Sequence, residues 1–126
     1  MPRHRIDFDT VRKLARELEG VEESVHGAQA IKVREKLLAW IPVHKSAEPR
    51  SLAVRINVND RAELIEAAPD IYYVTDHYLN YPTVLVRLSR IQPDALKDLL
   101  RMAWSFVTAK PSSRRQPARR RPSRQA

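Results

Sequence analysis

The residues able to do acid-base, nucleophilic or metal chemistry are few in this chain. Its four histidines stand at positions 4, 26, 44 and 77, without the HExxH or HxH spacing that turns two imidazoles toward one metal. Asp76 beside His77 is the one local acid-histidine pair, and it opens an aromatic stretch, Asp76-His77-Tyr78-Leu79-Asn80-Tyr81-Pro82. An imidazole there could serve as a base or a ligand, or simply pack among Tyr78 and Tyr81. Ser24 or Ser105 with His26 or His77 would supply a hydroxyl and a base, yet neither serine sits in the G-x-S-x-G turn that exposes a nucleophile. The absence of cysteine excludes a disulfide framework, a thiolate metal site and a thiol nucleophile. Two glycines, Gly20 and Gly27, cannot build a dinucleotide or P-loop phosphate cradle. No catalytic residue, metal ligand or cofactor is expected, and the chain reads as a binding protein and not an enzyme.

Charge points to the kind of partner. The 126 residues carry 23 Lys and Arg against 15 Asp and Glu, a formal net charge of +8. Seven of the bases, Lys110, Arg114, Arg115, Arg119, Arg120, Arg121 and Arg124, fall in residues 110–126 with no acid among them. Residues 1–109 therefore hold 16 bases against 15 acids, close to neutrality. The tail has three prolines and no large apolar side chain, so it cannot offset the entropy of ordering and is expected to be disordered. Such an arm binds polyanions through counterion release, with little base readout. Within the body, residues 30–58 carry a net +4 and residues 59–80 a net −4. If Lys32, Arg55 and Arg87 share one exposed sheet face with Trp40 or a tyrosine, that face can contact nucleic acid, with Arg34 and Lys36 beside it. The expected partner is double-stranded DNA, held by those five side chains and by Arg114, Arg115, Arg119, Arg120, Arg121 and Arg124. The competing expectation is a pocket for a protein segment or small ligand near Trp40, His77, Tyr78 and Tyr81, with an incidental tail.

The elements that must position these residues follow from hydrophobic period. Residues 7–20 read as a helix, with Val11, Leu14, Ala15 and Leu18 at three- and four-residue steps, an Asp7 or Asp9 cap, and Gly20 as the stop. Ile31–Val33, Leu37–Ile41 and Leu52–Val58 read as strands, the last alternating Leu52, Val54, Ile56 and Val58 toward a core with Ala53, Arg55 and Asn57 toward water. Arg34-Glu35-Lys36 suits a hairpin link, and residues 44–51 a longer loop. A short helix is expected over residues 60–68, opened by Asn59 or Asp60 and stopped by Pro69. Strands over residues 71–75 and 83–88 and a helix from Pro93 to about Ala109 complete the order. This is an α+β domain over residues 1–109, with about five strands in an antiparallel sheet, three helices and the order α-β(3)-α-β(2)-α. The longest apolar run, Leu37–Val43, falls well short of the roughly 20 residues a spanning helix needs. The N-terminus lacks an apolar signal core, so a cytoplasmic protein is expected.

Several strings, in this order and spacing, resemble the MmcQ/YjbR family over residues 7–109. They are Phe8-Asp9-Thr10-Val11-Arg12-Lys13-Leu14-Ala15, Gly20-Val21-Glu22-Glu23, Ile31-Lys32-Val33 with Lys36-Leu37-Leu38-Ala39, Val74-Thr75-Asp76-His77-Tyr78, Tyr81-Pro82-Thr83-Val84-Leu85-Val86-Arg87-Leu88, and Leu96 through Ala103-Trp104. The resemblance implies a compact α+β domain, similar in shape to frataxin-like and secretion-chaperone-like folds, and a DNA-binding role through a double-wing motif. It carries Lys32, Lys36, His77, Tyr78 and Trp104 as motif positions. The chain departs from the family pattern at Glu19, Ile31, Glu35 and Thr83, where proline, an aromatic, glycine and tryptophan are the family's usual residues. Glu35 places an acid at the tip of the basic hairpin.

Overall fold

Backbone turns and caps divide the described residues into nine elements. The computed structural model describes residues 6–23 and 29–109; the tail expected to be disordered, with its six arginine candidates, lies outside the described residues. The elements are α1 (Phe8–Ala15), β1 (Val21–Glu23), β2 (Ala30–Val33), β3 (Lys36–Trp40), β4 (Ser51–Arg55), α2 (Val58–Ala67), β5 (Tyr72–Tyr73), β6 (Thr83–Arg87) and α3 (Pro93–Thr108). All strand pairs are antiparallel, in one sheet of order β1-β2-β3-β4-β6-β5. The architecture is the expected α+β one with three helices, but the sheet has six strands where about five were expected. The additional strand, Val21-Glu22-Glu23, is three residues long and mostly acidic, so it carries no hydrophobic alternation to reveal it.

Boundaries moved where local hydrogen bonding overrides period. Asp7 caps α1 by accepting from the Thr10 N–H. The helix ends at Ala15, five residues short of Gly20, because Glu17 and Leu18 tighten to the i−3 carbonyls of Leu14 and Ala15. Gly20 then takes a positive φ of 78° and turns the chain into β1. Asn57, not Asn59 or Asp60, caps α2, its side-chain oxygen accepting from the Asn59 N–H at 2.7 Å. That cap cuts β4 short at Arg55 and turns Val58, expected on the core face of a strand, into an exposed first helical residue. β5 holds only two of the five residues assigned to a strand there.

All three helices pack on one face of the sheet. The core they bury includes Val11, Ile31, Val33, Leu52, Val54, Ile56, Val84, Val86, Leu96, Leu99, Leu100 and Ala103. A register shift between Ile31 and Lys32 lets consecutive Leu38 and Ala39 both join that core. It also leaves Leu37 opposite Lys32 on the far face. Trp104 reaches back from α3 to donate its indole N–H to the Glu19 carbonyl at 2.8 Å, locking α3 across the end of α1. No described helix is long and apolar enough to cross a membrane.

Candidate functional site

The sheet face away from the helices is where the chemistry-bearing residues gather. Strand pairing opposes Trp40 to Ala53, Ala53 to Leu85, and Leu85 to Tyr73, giving one row across four strands. Arg55 opposes Thr83 in the next row toward β3's hairpin end, and Ser51 opposes Arg87 on the other side. Alternation predicts that this face is wet. It is wet only at its margins, because Tyr78 folds down from the β5–β6 loop onto Ala53 and Leu85, making a second small core with Trp40, Ala47, Tyr73 and Val74 against it.

Two loops, residues 41–50 and 74–82, lie on this face and hold each other. His44 and His77 stack with ring centroids 3.6 Å apart, and Tyr78 meets the edge of His77 at 4.6 Å. Ser46 Oγ and Thr75 Oγ1 are hydrogen-bonded at 2.8 Å, while His44 Nδ1 accepts from the Ser46 N–H. The Tyr73 hydroxyl accepts from the Glu48 N–H and bonds the Ser51 hydroxyl. Arg87 forms a bidentate pair with Glu48 at 2.9 and 2.8 Å, lies over the Tyr73 ring, and donates to the Pro69 carbonyl. Arg61 of α2, 8% exposed, donates to the carbonyls of Leu79, Tyr81 and Thr83, fixing the loop's return into β6.

Between these loops and the β2–β3 hairpin opens a cleft of about 220 Å³, lined by Leu37, Trp40, Arg55, His77, Tyr78, Tyr81, Pro82 and Thr83. Its walls are largely aromatic and aliphatic; among the described residues no carboxylate lines it, and the one permanent charge is the Arg55 guanidinium. The Arg55 Nε is closed off from solvent and has no hydrogen-bond partner among the described residues. Leaving a charged donor so costs free energy. Partial burial, with His77 and Lys45 nearby, holds His44 below its ordinary 6.5. Burial raises the Tyr78 phenol above 10.0, so it is protonated near neutrality. Among the described residues no three of His, Asp and Glu gather as a metal site.

Comparison with known proteins places this architecture. The family model described as YjbR matches residues 16–106. The chain belongs to the YjbR family. It is 38% identical over 93 residues to the uncharacterized proteins Rv2570 of Mycobacterium tuberculosis H37Rv and Mb2600 of Mycobacterium bovis, an alignment that spans 63% of this chain and 72% of theirs. A crystal structure of the Deinococcus radiodurans protein DR2400, with a DUF419 domain, superposes with a TM-score of 0.68 at 22% identity, covering 84% of this chain and 81% of that one. At that identity the likeness speaks for the fold alone.

In this YjbR domain the residues singled out by sequence fall into two groups. Trp40, His77, Tyr78 and Tyr81 come together in the cleft, with Tyr78 serving mainly as its buried floor. The five basic candidates of the body do not form one free surface. Lys32, Arg55 and Arg87 do share the outer face, but Glu22 stands opposite Lys32, Arg55 is set in the cleft, and Arg87 is engaged by Glu48. Lys36 opposes Val33 and so leaves the hairpin toward the helix side, with Arg34 exposed at the tip. Ser105 is on α3, across the sheet from His77, so that pairing cannot form. Sequence reasoning missed Leu37, Pro82 and Thr83 in the cleft wall, the stacking of His44, and the clamp by Arg61. Arg55 and Thr83 were legible as strand residues, but their pairing across β4 and β6 skips α2 and β5 and leaves no local trace.

Proposed function

We propose that this YjbR protein is a non-enzymatic binding domain whose working surface is the aromatic cleft on the outer sheet face. The observation that carries this reading is the Arg55 guanidinium, with a shielded and unpartnered Nε, in a cleft otherwise walled by Leu37, Trp40, Tyr81 and Pro82. A concave apolar site with one convergent charged donor is the usual form of a small-ligand site. Among the described residues the lining offers no nucleophile hydrogen-bonded to a base: His77 stacks on His44, and the Tyr78 phenol is held protonated. The test is a thermal-shift screen of the full chain against a metabolite library. Ligands that stabilise the wild-type protein, and lose that effect in Tyr81→Ala and Arg55→Gln, support the cleft; stabilisation indifferent to both substitutions rejects it.

A second reading, contact with double-stranded DNA, is favoured by the β2–β3 hairpin. Lys32, Arg34 and Lys36 are exposed there, and none takes part in an ion pair among the described residues. A narrow ribbon with cations on both faces and at its tip has the shape of a groove-entering wing. In the full chain, Lys32→Gln with Arg34→Gln and Lys36→Gln should weaken duplex binding and flatten its salt dependence by about 3 in log-log slope. Unchanged binding would remove the hairpin from the interface.

A further inference from the structure

The cleft carries more information than the presence of a cavity. Among the described residues its one fixed charge is a single guanidinium and no carboxylate lines it, and the His44 imidazole stacked on its His77 wall is biased toward the neutral form. A dianion or polyphosphate would enter with charge left uncompensated between apolar walls, which is costly. A carboxylate matches one guanidinium in charge and can accept side-on from Nε and an Nη together. The walls set the rest of the ligand: Trp40 and Tyr81 offer ring faces or edges, and Leu37 and Pro82 offer aliphatic contact. The volume of about 220 Å³ equals about seven waters at roughly 30 Å³ each, the scale of a one- or two-ring molecule. Tyr81, 57% exposed, stands at the mouth where a ring would enter.

Building on the cleft reading above, we propose that this site binds a small aromatic carboxylate, its ring against Trp40 and Tyr81 and its carboxylate on the side of the Arg55 guanidinium. Binding would give the shielded Nε–H the acceptor it lacks, after a small rotation of the guanidinium toward the cleft.

The proposal is tested by nuclear magnetic resonance on the isotopically labelled full chain, with indole-3-acetate as probe and indole-3-acetamide and acetate as controls. Indole-3-acetate should shift the Arg55 Nε–H and Trp40 indole N–H resonances saturably, with a Kd on the order of 1 mM for so small a ligand. The uncharged amide should bind about tenfold more weakly or worse, since the hydrogen bonds lost are those to a charged group. Arg55→Lys, which keeps the charge but lacks the planar fork, should lose a similar factor. Tyr81→Ala, a change at an exposed side chain that keeps the core intact, should weaken the acid and leave resonances of the helix-side core in place. Equal binding of acid and amide in the wild-type chain, a comparison that needs no variant, would overturn the carboxylate assignment while leaving a ligand-binding cleft. Failure of both indoles to move any cleft resonance would overturn the cleft reading itself.

Discussion

His44 and His77 lie face to face in the two loops that cover the outer sheet face, and the stack ties the loops to solution pH. Burial, then the His77 ring, then Lys45 disfavour a proton on His44, so its folded-state pKa lies below the ordinary 6.5. A histidine depressed on folding contributes stability that is present above 6.5 and is lost as pH falls below that value toward and through the folded-state one. Melting temperature should therefore drop between about pH 7.5 and about pH 5.5. The drop should shrink in His44→Asn, whose side-chain oxygen can still accept from the Ser46 N–H as Nδ1 does now but cannot titrate. The carboxylates whose pKa values are lowered, Glu48 by its Arg87 bond and Asp7 by the Thr10 N–H, carry the opposite charge but the same sign of linkage. Their loss begins only as pH falls below 4.5, so the two windows separate. A pH profile equally steep in His44→Asn would place the transition elsewhere. None of this was legible in sequence, where His44 and His77 are 33 positions apart and nothing marks them as neighbours.

At the scale of elements, local chemistry explains both what sequence could say and what it could not. The hairpin was readable from the short link Arg34-Glu35-Lys36, and the structure tightens it to two residues by drawing Lys36 into β3 opposite Val33, with Arg34 at φ 52° and Glu35 at φ 67°, the type I′ pattern. Two side-chain-bearing residues in that region are strained. Glu35→Gly should raise stability by about 0.5–1 kcal/mol after glycine's own entropic cost, seen as a higher melting temperature. A fall instead would show that the tip is held by more than its turn. α3 was nearly complete in sequence, because its stripe of Leu96, Leu99, Leu100, Ala103 and Val107 runs uninterrupted from Pro93. α2 was displaced by two residues, since Asn57, Asn59 and Asp60 are all acceptable caps and only the end of β4 chooses between them. Its most consequential residue, Arg61, looked like one cation among the acids of residues 59–80. It is instead a buried clamp on three carbonyls of the cleft loop. Arg61→Met should destabilise the chain by about 2–3 kcal/mol, and Arg61→Lys, a point donor that cannot span three acceptors, should recover little of it. Denaturant midpoints measure both. Near-wild-type stability of either variant would mean that water satisfies those carbonyls.

For the whole molecule, the decisive fact is that α1, α2 and α3 all occupy one face of the sheet. Among the described residues the other face is covered by loops 41–50 and 74–82, so a site between them is assembled from segments far apart in sequence. The same topology distributes the body's charge: Arg87 answers Glu48, Glu23 answers Arg12 and Arg16, and Lys97 answers Glu17. A body so nearly balanced gives little long-range pull on a polyanion. The +8 of the chain is then carried almost wholly by residues 110–126, and the scale at which DNA affinity should be sought is the joined molecule, tail and hairpin together. If all seven tail cations neutralise phosphates, the log-log dependence of duplex affinity on salt should approach a slope of about −6 for the tail alone. A chain ending at residue 109, which retains every described element, should then bind duplex DNA with a slope reduced by that amount. Low-salt affinity should fall with it, by several orders of magnitude. Adding the hairpin substitutions to the shortened chain should remove the remaining dependence. Equal affinity with and without residues 110–126 would exclude the tail from the interaction, and absence of duplex binding by the full chain at low salt would leave the cleft as the working surface.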